Sequence, residues 1–290
     1  MLNETHSELK VVSLAMVRAV TGLAAAAVLA AASPAQAQGR LDARYTVTLG
    51  GLTIGKGSWV IDIAEDQFTA AASGATSGLL RMFASGRGTG AARGLMVSGL
   101  PVPASFAASV IDDKKTEEIR ISIVGGTVKE FVVSPPLNPD PERIPLSDAH
   151  RRGVSDPMTA SLIRVPGTGD PVRPEACQRV ISVFDGRLRY DLKLVYKRME
   201  HVKADKGYEG PAVVCAVYFN PIAGHVPSRT AVKYLIEQRD TEVWLAPIAA
   251  TRVLVPFRVS VPTPVGTGVL QATQFVSVGQ PRAAAVGPRM

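Results

Sequence analysis

The chain of 290 residues predicts an all-β fold, an antiparallel sheet with one short helix laid on it. Three observations carry this reading. After Asp185-Gly186 the residues alternate without a fault: Leu188, Tyr190, Leu192 and Leu194 take one face, and Arg187, Arg189, Asp191 and Lys193 the other. That is a strand with one face buried and one wet. Apolar residues make up 46 % of the chain, and its 26 glycines and 21 prolines are spread between short apolar runs, which suits many strands joined by turns rather than disorder. Helix-start signals are convincing in one place, at Asp156.

Taken in order, the chain opens on a leader. Ala19 to Ala32 is an alanine-rich apolar run behind Arg18, and Ala35-Gln36-Ala37 is a small-x-small triplet. This is the pattern of a signal peptide cleaved after Ala37, too short to span a bilayer, and it places the mature protein in the periplasm. Glu4 and Glu8 ahead of Lys10 make an odd n-region, and a start at Met16 gives a more ordinary one. Residues 38–279 then read as a single β domain, and residues 280–290 as a disordered tail.

Within the domain, Tyr45–Leu49, Gly50-Gly51 and Leu52–Ile63 form a hairpin with a two-residue turn. Trp59, Ile61 and Ile63 share a face, and Gly55 and Gly57 mark a bulge or a close backbone approach. Phe68–Thr76 is a weaker third strand. The glycines from Gly78 to Gly94 are strand glycines; a dinucleotide-binding GxGxxG fails at Ala91. Glu118–Ile123 turns at Gly125-Gly126 and returns through Val128–Val133, after which Pro135 to Pro141 breaks the sheet and divides it into halves.

Asp156 as N-cap and Pro157 at the first helical position start a helix that ends before Pro166, with Met158, Leu162 and Val165 on one face. A helix this short must lay that face on the sheet. The central hairpin turns on the two residues Asp185-Gly186. Ala212–Phe219, Thr230–Gln238, Thr241–Leu245, Arg252–Val261 and Val265–Val278 read as the remaining strands. In the fourth of these, Val253, Val255, Phe257, Val259 and Val261 share a face, and Pro256 on the other indicates an edge or a bulge.

Cys177 and Cys215 are the two cysteines of the chain. In an exported protein with no CxxC or His-x-His spacing, a disulfide is the expectation, and two unpaired buried thiols the alternative. The formal net charge is +7, but the basic residues are scattered singly. A solvated basic surface accounts for them; attraction to anionic envelope polymers or lipid headgroups is the functional alternative, with no sign of nucleic-acid binding.

Leu52–Gly57, Ser155–Leu162, Val183–Tyr190, Val214–Tyr218 and Thr263–Gly266 together resemble the domain-of-unknown-function family numbered 3108, found in exported bacterial proteins. That family is similar in fold to periplasmic lipoprotein carriers. The resemblance implies a strongly curved antiparallel sheet, a half-barrel or β-spiral wrapping a helix, with an apolar hollow. It implies no activity, since the family has no established catalytic residues.

The residues carry no catalytic signature of their own. There is no GxSxG elbow, Walker loop or HExxH helix, and His150, His201 and His225 have no ligand spacing, so neither metal nor cofactor is expected. Asp112-Asp113 and Glu117-Glu118 flank a strand, where solvated turn acids are the ordinary explanation. The expectation is a non-enzymatic envelope protein binding a lipid, a lipoprotein or an apolar peptide on the concave face, with peripheral membrane contact or none. Met158, Leu162, Val165, Tyr190 and Leu192 are the candidate lining, and the helix is a lid or plug. The alternatives are a cell-wall hydrolase with an acid pair assembled from distant residues, and an outer-membrane barrel, against which the 6 % aromatic content counts.

Overall fold

The computed structural model describes residues 38–77, 86–112 and 115–279. The leader with its cleavage site, Asp113 and the tail from 280 lie outside them. In chain order the strands are β1 (Gly39–Leu49), β2 (Leu52–Ile63), β3 (Gln67–Thr76), β4 (Gly86–Val97), β5 (Leu100–Asp112), β6 (Thr116–Val124), β7 (Thr127–Ser134), β8 (Ile163–Arg164), β9 (Arg179–Phe184), β10 (Arg189–Lys203), β11 (Lys206–Gly207), β12 (Glu209–Ala223), β13 (Glu242–Pro247), β14 (Val253–Thr263) and β15 (Gly266–Gly279). They form one sheet in the order β7-β6-β5-β4-β3-β2-β1-β15-β14-β13-β12-β10-β9, with β8 joined to β14 and β11 to β15. The ladders are antiparallel except β11–β15.

Local chemistry sets the hairpins. Gly50-Gly51 and Gly125-Gly126 adopt positive φ at both positions, which is what a two-residue turn between twisted strands requires. The β4–β5 turn does the same with Ser98 and Gly99. The bulge expected near Gly55 falls between Val47 and Thr48 of the facing strand. The one expected at Pro256 shifts the β13–β14 register between Trp244 and Leu245.

The sheet curls until its two edges almost meet. Residues 135–178 carry the chain from β7 at one edge to β9 at the other. On the way, Arg152 bridges Thr127 of β7 and Ser155 bridges Val183 of β9. Across this seam the rings of Phe131 and Phe184 meet edge to face with centroids 5.3 Å apart, and Arg187 reaches Glu117 at 3.3 Å. No strand ladder joins β7 to β9; a short piece of coil stands between them.

The inner face carries a core of Leu41, Ile61, Phe68, Val255, Phe257 and Phe275, continued by Phe106, Ile121 and Phe184 under β4–β7. The outer faces of β12–β14 are buried too, Val213, Cys215, Leu245 and Leu254 lying beneath Val165, Val172 and Cys177. The Cys177–Cys215 disulfide, with its Cα atoms 5.4 Å apart, ties that cover to β12. Closing a 38-residue separation constrains the unfolded chain by about 4 kcal/mol in the chain-entropy account.

Three elements differ from expectation. Asp156 does cap a turn, accepting from the amides of Met158 (3.0 Å) and Thr159 (2.9 Å), but no α-helix follows. A single 3-10 turn, Thr159–Ser161, gives way to extended Leu162 and then to β8, whose Arg164 and Ile163 pair with Val253 and Leu254. Strand pairing outweighs a helix too short to hold itself. Conversely Thr230–Gln238, expected as a strand, is an α-helix, α1 (Thr230–Glu237), with none of its residues buried. Ala231, Lys233, Leu235 and Glu237 are good helix formers, and the Arg229 carbonyl accepts from Val232 and Lys233. Finally the central hairpin turns on four residues, since Phe184 pairs with Arg189. Asp185 Oδ1 takes the amides of Arg187 and Leu188 and so prolongs the turn.

Candidate functional site

The register brings small residues together on the inner face of β2–β5. One cross-strand row reads Tyr45, Gly57, Gly74, Gly88 and Val110; its neighbours read Val47, Gly55 and Thr76, and Trp59, Ala72, Gly90 and Ala108. Three adjacent strands therefore meet at glycines, and the floor there is bare backbone. Tyr45, Val47, Trp59, Val259, Leu270 and Ser161 stand around it and border a hollow of 680 Å³ that is widely open to solvent. This lies within the range of about 300–1,000 Å³ usual for small-molecule sites.

Two of these glycines have a backbone reason as well. A Cβ on Gly57 would stand 2.9 Å from the Ser73 carbonyl oxygen, and one on Gly55 would stand 3.3 Å from that of Ala75. Gly74 and Gly88 are different: an added Cβ would meet only ordinary contacts, at 3.5 Å or more. Their lack of a side chain leaves space rather than relieving a clash.

The polar groups of the hollow are few and mostly spent. The Tyr45 hydroxyl donates to the Pro256 carbonyl at 2.8 Å, and burial pushes its pKa well above the usual phenol range. Ser161 Oγ donates to the Pro157 carbonyl at 3.0 Å. Trp59 Nε1 is buried without an acceptor. Lys56 and Arg87 border the hollow, but they belong to the alternate row through Ala75, on the outer face. The inner-row residues that line the hollow are uncharged; Asp112, facing Gly86, and Glu117, facing Val110, stand at the far ends of their rows and outside the lining.

Of the expected lining residues, none borders the hollow directly. Met158 and Leu162 do lie inside the sheet: Leu162 belongs to the inner core, and Met158 packs between its two parts. The Met158 methyl covers Gly90, 3.1 Å from where its Cβ would be, so the turn of residues 156–162 plugs the interior beside the hollow. Val165 and Leu192 pack instead with the disulfide on the outer face, and Tyr190 stacks on Phe219 at 5.3 Å. The shared face of Met158, Leu162 and Val165 dissolves because the chain becomes extended at Leu162. Reading the sequence missed Gly55, Gly57, Gly74, Gly86, Gly88 and Gly90 as site residues, although the alternate spacing of five of them was visible.

The acids once considered for chemistry lie in exposed pairings. Glu117 receives Lys115 at 2.5 Å, which holds its carboxyl below the usual range. Glu118 pairs with Arg120 at 3.0 Å, and Asp112 accepts the Lys115 amide at 2.9 Å. Among the described residues, no group of three or more His, Cys, Asp or Glu is placed to hold a metal ion, and no helix is long and apolar enough to cross a membrane.

Fold and hollow together define a barrel-like all-β protein with an apolar interior site. The chain belongs to the family of proteins of unknown function DUF3108, whose model matches residues 44–273. No curated protein matches it. Among solved structures it is similar to the β-barrel-like protein of domain of unknown function DUF1849 from Brucella abortus, at 10 % identity over 82 % of this chain and 97 % of that one, with a TM-score of 0.44.

Proposed function

We propose that this protein is a non-enzymatic factor of the periplasmic envelope that holds an uncharged apolar chain, the acyl tail of a lipid or lipoprotein, in the hollow over Gly57, Gly74 and Gly88. The observation that carries the proposal is the bare floor itself: three facing glycines in three adjacent strands. Two of them have no steric reason to lack a side chain. Strand glycines weaken a sheet, so keeping them where a Cβ would meet only ordinary contacts is consistent with a ligand occupying the space.

An acyl chain suits the site better than a peptide. The inner-row residues lining the hollow carry no charge, and the strands beneath are paired on both sides. A peptide's amides would therefore be buried without partners, at a cost of about 1–3 kcal/mol each. Each methylene removed from water contributes about 0.8 kcal/mol. The disulfide fits an oxidising compartment and supports placement outside the cytoplasm.

Competition binding with a fluorescent fatty-acid analogue tests this. Saturated chains of increasing length should bind about fourfold more tightly per added methylene until the hollow is full. Affinity independent of chain length, or equal binding by Gly74→Leu, would overturn the reading.

A further inference from the structure

A second site is built on the opposite face of β14, from residues the hollow does not use. The coil after β8 turns back at Gly167, whose φ is +88°, and this aims several backbone carbonyls at arginines. Arg252 donates from Nε to the Val165 carbonyl (2.9 Å), from Nη2 to that of Pro166 (3.1 Å) and from Nη1 to that of Gly169 (2.5 Å). Arg164 Nη1 donates to the same Val165 oxygen at 3.0 Å, and Arg173 Nη2 to the same Pro166 oxygen. Three guanidinium groups thus meet in pairs at two shared oxygens, each pair of donor nitrogens less than 6 Å apart.

The charge there is not balanced. Asp170 spends one carboxylate oxygen on the Val172 amide at 2.8 Å. Glu175 lies 3.5 Å from Arg173 Nε. Arg179 closes the far side, donating to the Arg164 carbonyl at 3.0 Å. Four arginines therefore face two acids. Burial, then Arg173 and then Arg164 hold the Arg252 guanidinium below its usual range, against the opposing effect of Asp170. Carbonyls orient these groups without neutralising them. Arg164 keeps Nε and Nη2 unspent, and Arg173 keeps Nη1. Planar donors held this close suit the tetrahedral oxygens of a phosphate.

We propose that Arg164, Arg173 and Arg252 form a receiving site for a phosphate-class anion, a lipid headgroup or free phosphate. The test uses the exported, disulfide-bonded protein. Thermal unfolding is followed against inorganic phosphate, with sodium chloride at matched ionic strength, and flotation is measured with vesicles of phosphatidylglycerol and phosphatidylcholine against phosphatidylcholine alone. A saturable rise in Tm specific to phosphate is expected, with an apparent affinity at least about tenfold weaker in Arg164→Gln/Arg173→Gln, the two replaced guanidinium groups together being worth about 1.4 kcal/mol or more. The control Lys129→Gln, which removes an exposed charge from β7, a strand that contributes nothing to the hollow or to the arginine cluster, should behave as wild type. Flotation that depends on phosphatidylglycerol and on Arg164 and Arg173 identifies the headgroup as the source; a phosphate response without flotation identifies the free anion. If phosphate acts no differently from chloride and vesicle composition makes no difference, the site is refuted. It is refuted equally if Lys129→Gln weakens binding as much as the double variant, whose fold is verified by circular dichroism.

Discussion

Gly57 and Gly74 face each other across β2 and β3 with no side chain between them: a Cβ on Gly74 would lie 4.0 Å from the Gly57 Cα. On a sheet whose neighbouring inner positions carry Tyr45, Trp59 and Ile61, that gap leaves the floor of the hollow bare.

Filling it should separate stability from binding. The Cβ of Gly74→Leu meets no backbone closer than 3.5 Å, so the substitution begins without a backbone clash. Exchanging a strand glycine for a side chain with an apolar surface to cover should leave stability unchanged or raise it by about 0.5–1 kcal/mol. Urea unfolding measures that term, and fatty-acid binding should fall at least tenfold in the same variant.

The disulfide should hold the outer cover of β12–β14 in place. Cys177→Ser and Cys215→Ser should each lower stability by about 2–5 kcal/mol. Hydrogen exchange should locate the loosening in the segment around Val165, Val172 and Ala176, which packs on Cys215 and Leu245. Equal protection of that segment in both states would show that packing alone retains it.

Asp156 predicts a pH effect. Its carboxylate is buried and accepts from two amides and, at 2.6 Å, from Thr159 Oγ1. Burial raises its pKa above the ordinary aspartate value, against those hydrogen bonds. A raised folded-state pKa contributes stability that is complete below the unfolded value and is lost as pH rises through the folded one. Asp156→Asn should therefore gain on wild type between pH 4 and pH 8, while Asp156→Ala loses about 1–3 kcal/mol by stranding the amides. Urea denaturation at the two pH values checks both.

Glu242 has the opposite sign. Bonds from Arg198 at 3.0 and 2.9 Å, and Lys197 at 2.5 Å, lower its pKa to about 2 despite partial burial. Its contribution is present above the unfolded value near 4.5 and is lost as pH falls toward 2. Glu242→Gln should cost about 1–3 kcal/mol at pH 7 and almost nothing at pH 2, as judged by denaturation at each pH.

The sequence made the sheet legible at its tight turns: the Gly50-Gly51 and Gly125-Gly126 hairpins stand in the structure, and a strand does follow Asp185, although Arg189 and Asp191 on its expected wet face are largely covered. It misled where neighbouring residues answer to different layers. Leu162 and Val165 belong to opposite faces of the sheet, and helical spacing cannot reveal a chain that changes face between them. The α1 segment was read as a strand because its apolar residues also fit a short extended run. The site escaped for another reason. Its floor consists of missing side chains, and only the register of β2, β3 and β4 puts Gly57, Gly74 and Gly88 in line.

The most direct measurement uses the tryptophans. The chain has two: Trp59 borders the hollow, while Trp244 does not, its indole donating to Glu200. Fatty acids brominated along the chain quench indoles they touch. Titration should give saturable quenching that disappears in Trp59→Phe and in Gly74→Leu, with Trp244 emission unchanged. Absence of quenching in the wild-type protein, or quenching that survives in Trp59→Phe, would contradict an acyl chain seated over the glycine floor.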